Sequence, residues 1–168
     1  HKYPGIRSDS DLYTFGYRFK PWVGPPIASA EAILEYMGEV IDENGLAKHI
    51  RYNHRIATAN WDSATNLWTI DAHDSATGLV HRFTTNFLWM CQGYYRHSEG
   101  YTPEWPGMAD FKGPIIHPQT WPKNLDLSNQ RVVIIGSGAT TATLAPAIAN
   151  ECAHVTVLQR SPTYFWTG

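Results

Sequence analysis

Apolar residues recur at helical spacing through Ile33, Leu34, Met37, Val40 and Ile41. This period predicts a helix that Ser29 caps, that Glu31 favours in its first turn and that Asn44-Gly45 ends. The period then changes. Ile50 to Asp62, Leu67 to His73 and Leu79 to Thr84 are extended runs of Val, Ile, Thr and aromatic residues separated by Ser, Ala, Thr, Asn and Gly, which predicts a β-meander. Phe87 to Cys91 is a short apolar run predicted as a buried strand ending at Gln92-Gly93. Tyr94 to Trp105 reads as a crossing linker punctuated by Gly100, Pro103 and Pro106. Upstream of the first helix, residues 1–26 show little periodicity and read as ordered loop.

A second unit begins beyond the linker. The β-branched run Arg131 to Ile135 predicts a parallel strand covered on both faces. Thr140 to Asn150 predicts the following helix, in which Pro146 removes a backbone donor and is expected to introduce a kink. Ala153 to Gln159 predicts the second strand, so the segment is a strand-helix-strand unit.

Composition narrows the classes. A chain of 168 residues with 43% hydrophobic and 17% charged residues has the balance of a soluble globular protein and is not a disordered tail. A net charge of -2 without a basic stripe makes nucleic acid an unexpected partner. Cys91 and Cys152 are too few for a disulfide framework and fit a reducing compartment, so a cytoplasmic location is expected. No apolar run approaches the roughly 20 residues that span a bilayer. The chain starts at His1, without Met and inside a loop, which reads as a piece of a longer protein.

The strongest local chemistry lies at Val132-Val133-Ile134-Ile135-Gly136-Ser137-Gly138-Ala139-Thr140-Thr141. Gly136 permits a tight turn out of the strand, Gly138 lets the backbone approach a pyrophosphate, and the first N–H groups of the helix then point at that anion. Thr141 stands at the third glycine position of G-x-G-x-x-G, a departure expected to loosen helix–strand packing slightly. A ligand-free β-α turn is the alternative. Ile135 and Ala139 exclude a nucleophile elbow around Ser137, because that motif needs glycines there. After the second strand, Gln159-Arg160-Ser161 offers a guanidinium and a hydroxyl where an NAD site would place a carboxylate, so NADP(H) is the expected cofactor. The alternative for Arg160 is a solvated surface arginine.

Upstream of that turn, Phe111, Gly113, His117, Trp121 and Pro122 fit F-x-G-x-x-x-H-x-x-x-W-P. The pattern resembles the fingerprint of Baeyer-Villiger monooxygenases, the class B flavoproteins that use FAD and NADPH. Tyr3-Pro4-Gly5-Ile6-Arg7-Ser8-Asp9 is similar to the Y-P-G-x-R-x-D segment of that family, and Gly93-Tyr94-Tyr95 stands where a strand returns to the FAD site. The wording of Arg7 to Asp11, Gly136 to Thr141 and Leu158 to Tyr164 most resembles the subgroup of ethionamide-activating monooxygenases.

The resemblance covers essentially the whole chain and implies an α/β flavoprotein fragment with two dinucleotide-binding domains. Residues 1–107 would be part of the FAD Rossmann domain, including the β-meander. Residues 108–168 would hold the linker fingerprint and the first β-α-β of the NADP Rossmann domain. It further implies that Asp9 lies near the flavin and supports a catalytic arginine, that the backbone of Arg7, Ser8 and Asp9 borders NADP, and that Ile56 meets the FAD adenine region through its backbone. Ser137, Gly138, Ala139, Thr140, Thr141, Ala142 and Thr143, with Gly136, Arg160 and Ser161, would bind NADP.

His117 is implied to be conformational, positioning the linker. The plain reading of the residue is a hydrogen-bonded structural histidine, and the spacing of the eight histidines suggests no metal site. The implied activity is NADPH-driven insertion of one oxygen atom from O2 into a ketone, or onto sulfur or nitrogen, through a peroxyflavin. A related N- or S-oxidising enzyme or reductase, and an inactive NADP-binding remnant, remain alternatives. The FAD glycine motif is expected upstream of His1 and the catalytic arginine downstream of Gly168, so this stretch alone is expected to be inactive and to leave apolar sheet faces uncovered. Oligomeric state and natural substrate are not legible.

Overall fold

In the computed structural model, which describes residues 3–164, the N-terminal segment is held by backbone pairing to the start of a helix. Arg7 bridges Ser29, the Ser8 N–H donates to the Ala28 carbonyl at 2.8 Å, and the Ser8 hydroxyl accepts from the Ala28 N–H at 3.1 Å. The loop reading of this segment needs one correction. Leu12–Phe15 forms a single helical turn, α1, because the Asp11 carboxylate accepts from the Tyr13 N–H at 2.8 Å and Leu12 is buried.

Helix α2, Ala30–Glu43, forms where its apolar period places it. The Ser29 hydroxyl caps it by accepting from the Ala32 N–H at 3.3 Å, and Gly45 follows its end with a left-handed φ of 60°. Tyr36, buried on α2, donates to the Lys20 carbonyl at 2.6 Å and accepts from the Tyr17 N–H at 2.7 Å.

The chain divides into two compact units, Glu39–Tyr94 and the remainder. The first of these carries three antiparallel strands in sequential order, β1 (His54–Asp62), β2 (Leu67–Asp74) and β3 (Val80–Thr85). Ile70 and Ala72 on the central strand are the buried residues of this sheet. Between Ile56 and Thr58 the pairing slips by one residue, a β-bulge at Ala57. Both hairpins are closed by the same tetrapeptide, Asp-Ser-Ala-Thr, at residues 62–65 and 74–77. In each, one carboxylate oxygen accepts from the alanine N–H, at 2.9 and 2.8 Å, and the other accepts from the threonine hydroxyl, at 2.8 Å. Asn53 and Asn66 take left-handed φ values of 60° and 54° beside these turns.

Phe87 to Cys91, predicted as a strand, is irregular instead. A strand exists only where a neighbour satisfies its backbone groups, and among the described residues no strand pairs with it. Phe87, Trp89 and Met90 stand in the open, with Trp89 79% exposed.

In the other unit, β4 (Arg131–Ile135), α3 (Ala139–Ile148) and β5 (His154–Leu158) form a strand-helix-strand motif whose two strands are parallel. Leu144 and Ile148 of α3 are buried. The expectation that β4 is covered on both faces is not met. Val132 and Ile134 are half-buried while Val133 and Ile135 are exposed, which is the alternation of a sheet with one open face.

Candidate dinucleotide-binding site

Parallel pairing of Ile135 with Leu158 brings the C-terminal ends of β4 and β5 to one edge, the place where open α/β sheets bind ligands. The Gly136 N–H donates to the Leu158 carbonyl at 2.9 Å, which carries the pairing one step past the strands. Gly136 then turns with φ 116°, a value that a residue with a Cβ rarely adopts. Gly138 precedes α3 without a side-chain cap. A Cβ added at either glycine would meet nothing within 4 Å, so the backbone of this turn is open to an approaching group.

The Ala142 N–H is taken by the Gly138 carbonyl at 3.1 Å. The N–H groups ahead of it belong to the first turn of a helix, have no carbonyl partner within it, and favour an anion. Ser137 to Thr143 therefore stand together as one segment, as the sequence places them. The Ser137 hydroxyl meets that of Thr163 at 2.5 Å, tying the turn to the chain after β5. Arg160 and Ser161 lie between, exposed, on the same edge.

Thr141 behaves differently from the looseness expected of it. It is 7% exposed, and its hydroxyl donates to the Gly136 carbonyl at 3.2 Å. The buried side chain clamps the turn by a hydrogen bond that glycine lacks.

The N-terminal loop joins this motif through Gly5. With φ 76°, its backbone lies against α3, where a Cβ would stand 2.6 Å from the Thr143 carbonyl oxygen and 2.7 Å from the Ala147 Cβ. The Thr143 hydroxyl reaches the Tyr3 hydroxyl at 3.4 Å. Arg7, Ser8 and Asp9 follow directly on this loop, Asp9 exposed and the Arg7 Nε donating to the Gly5 carbonyl at 3.3 Å.

His117 belongs to a separate cluster. Its Nδ1 accepts from the Gln119 N–H at 3.1 Å, capping the 3-10 turn Pro118–Thr120, and so the neutral ring carries its proton on Nε2. Gly100 packs directly on the imidazole, with no room for a Cβ. Both border a cavity of about 580 Å³ lined also by Arg96, Tyr101, Ile115 and Thr120. Ile56 lies in the other unit, on β1 opposite Ala72 beside the bulge, 55% exposed.

A grouping that sequence spacing did not reveal is His54, Asp74 and His81, whose donor atoms lie within 4.8 Å of one another. They sit on three different strands, so only strand register, and no linear spacing, could have joined them.

Among the described residues no helix is long and apolar enough to cross a membrane. Residues 22–167 match the model of the Flavin-binding monooxygenase-like family. The FAD-containing monooxygenase EthA of Mycolicibacterium smegmatis is 53% identical over 97% of this chain and 33% of its own length. The probable FAD-binding monooxygenase AlmA of Acinetobacter baylyi is 50% identical over 97% of the chain and 33% of its own. Among solved structures, oxidized steroid monooxygenase bound to NADP superposes with a TM-score of 0.77 at 30% identity, over 96% of this chain and 31% of that one. OTEMO in complex with FAD and NADP gives 0.75 at 27% identity, over 96% and 32%. The chain thus spans about a third of the length of the curated relatives it matches.

Proposed function

This chain belongs to the Flavin-binding monooxygenase-like family, and from that premise we propose that it is the central part of an FAD- and NADPH-dependent monooxygenase. The observation that carries the proposal is the open turn at Gly136 and Gly138 with Arg160 on the same sheet edge. Residues 108–168 then hold the linker and the beginning of an NADP domain, and residues 1–107 part of an FAD domain.

In this reading the Gly136–Thr143 backbone binds the NADP pyrophosphate, and Arg160 with Ser161 takes the ribose 2'-phosphate. Two solved relatives hold NADP, in one case together with FAD, which supports this choice of cofactors. The backbone of Arg7, Ser8 and Asp9 borders NADP on a loop that Gly5 presses against α3. Asp9 supports an arginine outside this chain. Ile56 offers its backbone to the adenine of FAD. His117 does no chemistry and holds the linker turn in register. The apolar side chains of Phe87, Trp89 and Met90 are surfaces that the remaining FAD domain covers.

When bound, FAD and NADPH supply reducing equivalents and the activation of O2. The residues of this chain supply position and charge. The substrate is a small molecule, a ketone or a compound with soft sulfur or nitrogen, and we place the enzyme in the cytoplasm.

The test is oxygen uptake by the full-length protein with NADPH, followed by product analysis with a ketone and a thioether. NADPH-dependent uptake with one oxygen atom in the product supports the proposal. NADPH oxidation that leaves O2 untouched makes the protein a reductase, and NADP binding without turnover makes it a remnant.

A further inference from the structure

We propose that His54, Asp74 and His81 bind a divalent first-row transition-metal ion of the zinc or cobalt(II) kind at one end of the β-meander. Each strand contributes one ligand to a single sheet face. His54 on β1 pairs directly with Asp74 on β2, and His81 on β3 stands opposite Ala72, two residues from Asp74 and on its side of the sheet. The three donor atoms lie within 4.8 Å of one another, the two imidazole rings are stacked at 5.1 Å, and His81 Nε2 is 3.8 Å from Asp74 Oδ2.

The decisive atom is His54 Nε2. Its ring partner Nδ1 lies 2.7 Å from the Tyr52 carbonyl, which accepts only, so Nδ1 carries a proton and, in the neutral ring, Nε2 presents a lone pair. That lone pair is buried and has no hydrogen-bond partner. An ion pair between His81 and Asp74 would account for two of the groups and leave this nitrogen unexplained. A cation accounts for all three. A backbone carbonyl that fixes the far nitrogen is also the support that metal-ligating histidines use. The Asp74 carboxylate is oriented in the same way by the Ala76 N–H and the Thr77 hydroxyl.

Two nitrogens and one oxygen suit zinc or cobalt and disfavour magnesium and calcium, which prefer oxygen shells. Ligand distances of about 2.0–2.2 Å require the donors to close in from their present separation. His81, with 40% of its side chain exposed, has the freedom to swing, and solvent takes the open coordination position. The ion would staple all three strands together.

Equilibrium dialysis of the tag-free full-length protein against Zn2+ tests this, with Co2+ absorption as a second readout. Wild type is expected to take up zinc and to show visible cobalt bands of a tetrahedral site, with affinity falling about tenfold or more in His54→Gln and His81→Gln. Since His81 lies at the exposed margin, His81→Gln keeps the fold and decides the matter even if His54→Gln does not fold. Absence of zinc uptake at micromolar concentration, or equal uptake and unchanged cobalt bands in His81→Gln, would overturn the site.

Discussion

Gly5 lies so close to the Thr143 carbonyl that a methyl group on it would stand 2.6 Å from that oxygen. The contact joins the N-terminal loop to α3, and both neighbours of the missing Cβ are rigid, a backbone oxygen and an alanine Cβ. The left-handed φ of 76° adds strain for any other residue. Gly5→Ala is therefore expected to lower stability by about 1–3 kcal/mol in denaturant titrations. The displaced loop should weaken NADP+ binding as well, which a fluorescence titration would detect.

Arg160 is a second point of attack. Loss of a charge-assisted contact to the 2'-phosphate is worth roughly 1.5–3 kcal/mol. Arg160→Ala in the full-length enzyme should raise KM for NADPH by about tenfold or more and leave the use of NADH nearly unchanged. Equal losses with both cofactors would mean that Arg160 does not read the phosphate.

At Thr141 the hydroxyl and the methyl group are separable. Thr141→Val keeps the volume and leaves the Gly136 carbonyl without its side-chain donor, at an expected loss of about 0.5–1.5 kcal/mol. Thr141→Gly restores the usual dinucleotide motif, yet it removes a buried side chain and adds a helix penalty of roughly 0.3 kcal/mol. The glycine variant should melt lower than the valine variant, and differential scanning calorimetry would rank them.

Acid should weaken the β-meander in a predictable direction. The Arg82 guanidinium, bonded through Nε at 2.7 Å and a terminal nitrogen at 3.1 Å, holds the Asp71 carboxyl below the usual aspartate range. Hydrogen bonds from Thr65 and the Ala64 N–H do the same at Asp62, and those from the Ala76 N–H and Thr77 at Asp74. A carboxyl with a lowered folded value stabilises the fold above its unfolded value, and that contribution is lost as pH falls through the lowered one. Arg82→Gln should make the meander less stable at neutral pH and flatten its acid transition, as followed by circular dichroism against pH.

Much of this architecture was legible because its signals are local. The period of Ile33 to Ile41 and the Ser29 cap specify α2, and the β-branched run before Gly136 specifies β4. The Phe87 to Cys91 strand was misread because apolar residues state only that a segment wants cover, and pairing depends on a partner that composition does not reveal. The helical turn at Leu12–Phe15 rests on one capping carboxylate, too short a signal to show a period. The clamp from Thr141 and the contact at Gly5 were invisible, since both depend on which atoms meet after folding. The repeated Asp-Ser-Ala-Thr was in plain view, and its meaning as a matched pair of hairpin closures emerged only with the register.

The bulge at Ala57 gives β1 two phases. Before it, even-numbered residues such as His54 and Ile56 share the face of Ala72. After it, odd-numbered residues take over, with Ala59 opposite Ile70 and Trp61 opposite Trp68. Removing Ala57 alone would shorten the strand and leave every remaining side chain on its present side, whereas a deletion elsewhere in the strand would turn one stretch inside out. Ala57 is the spare link of the strand, the position at which its length is free to change without rewriting which side chains meet.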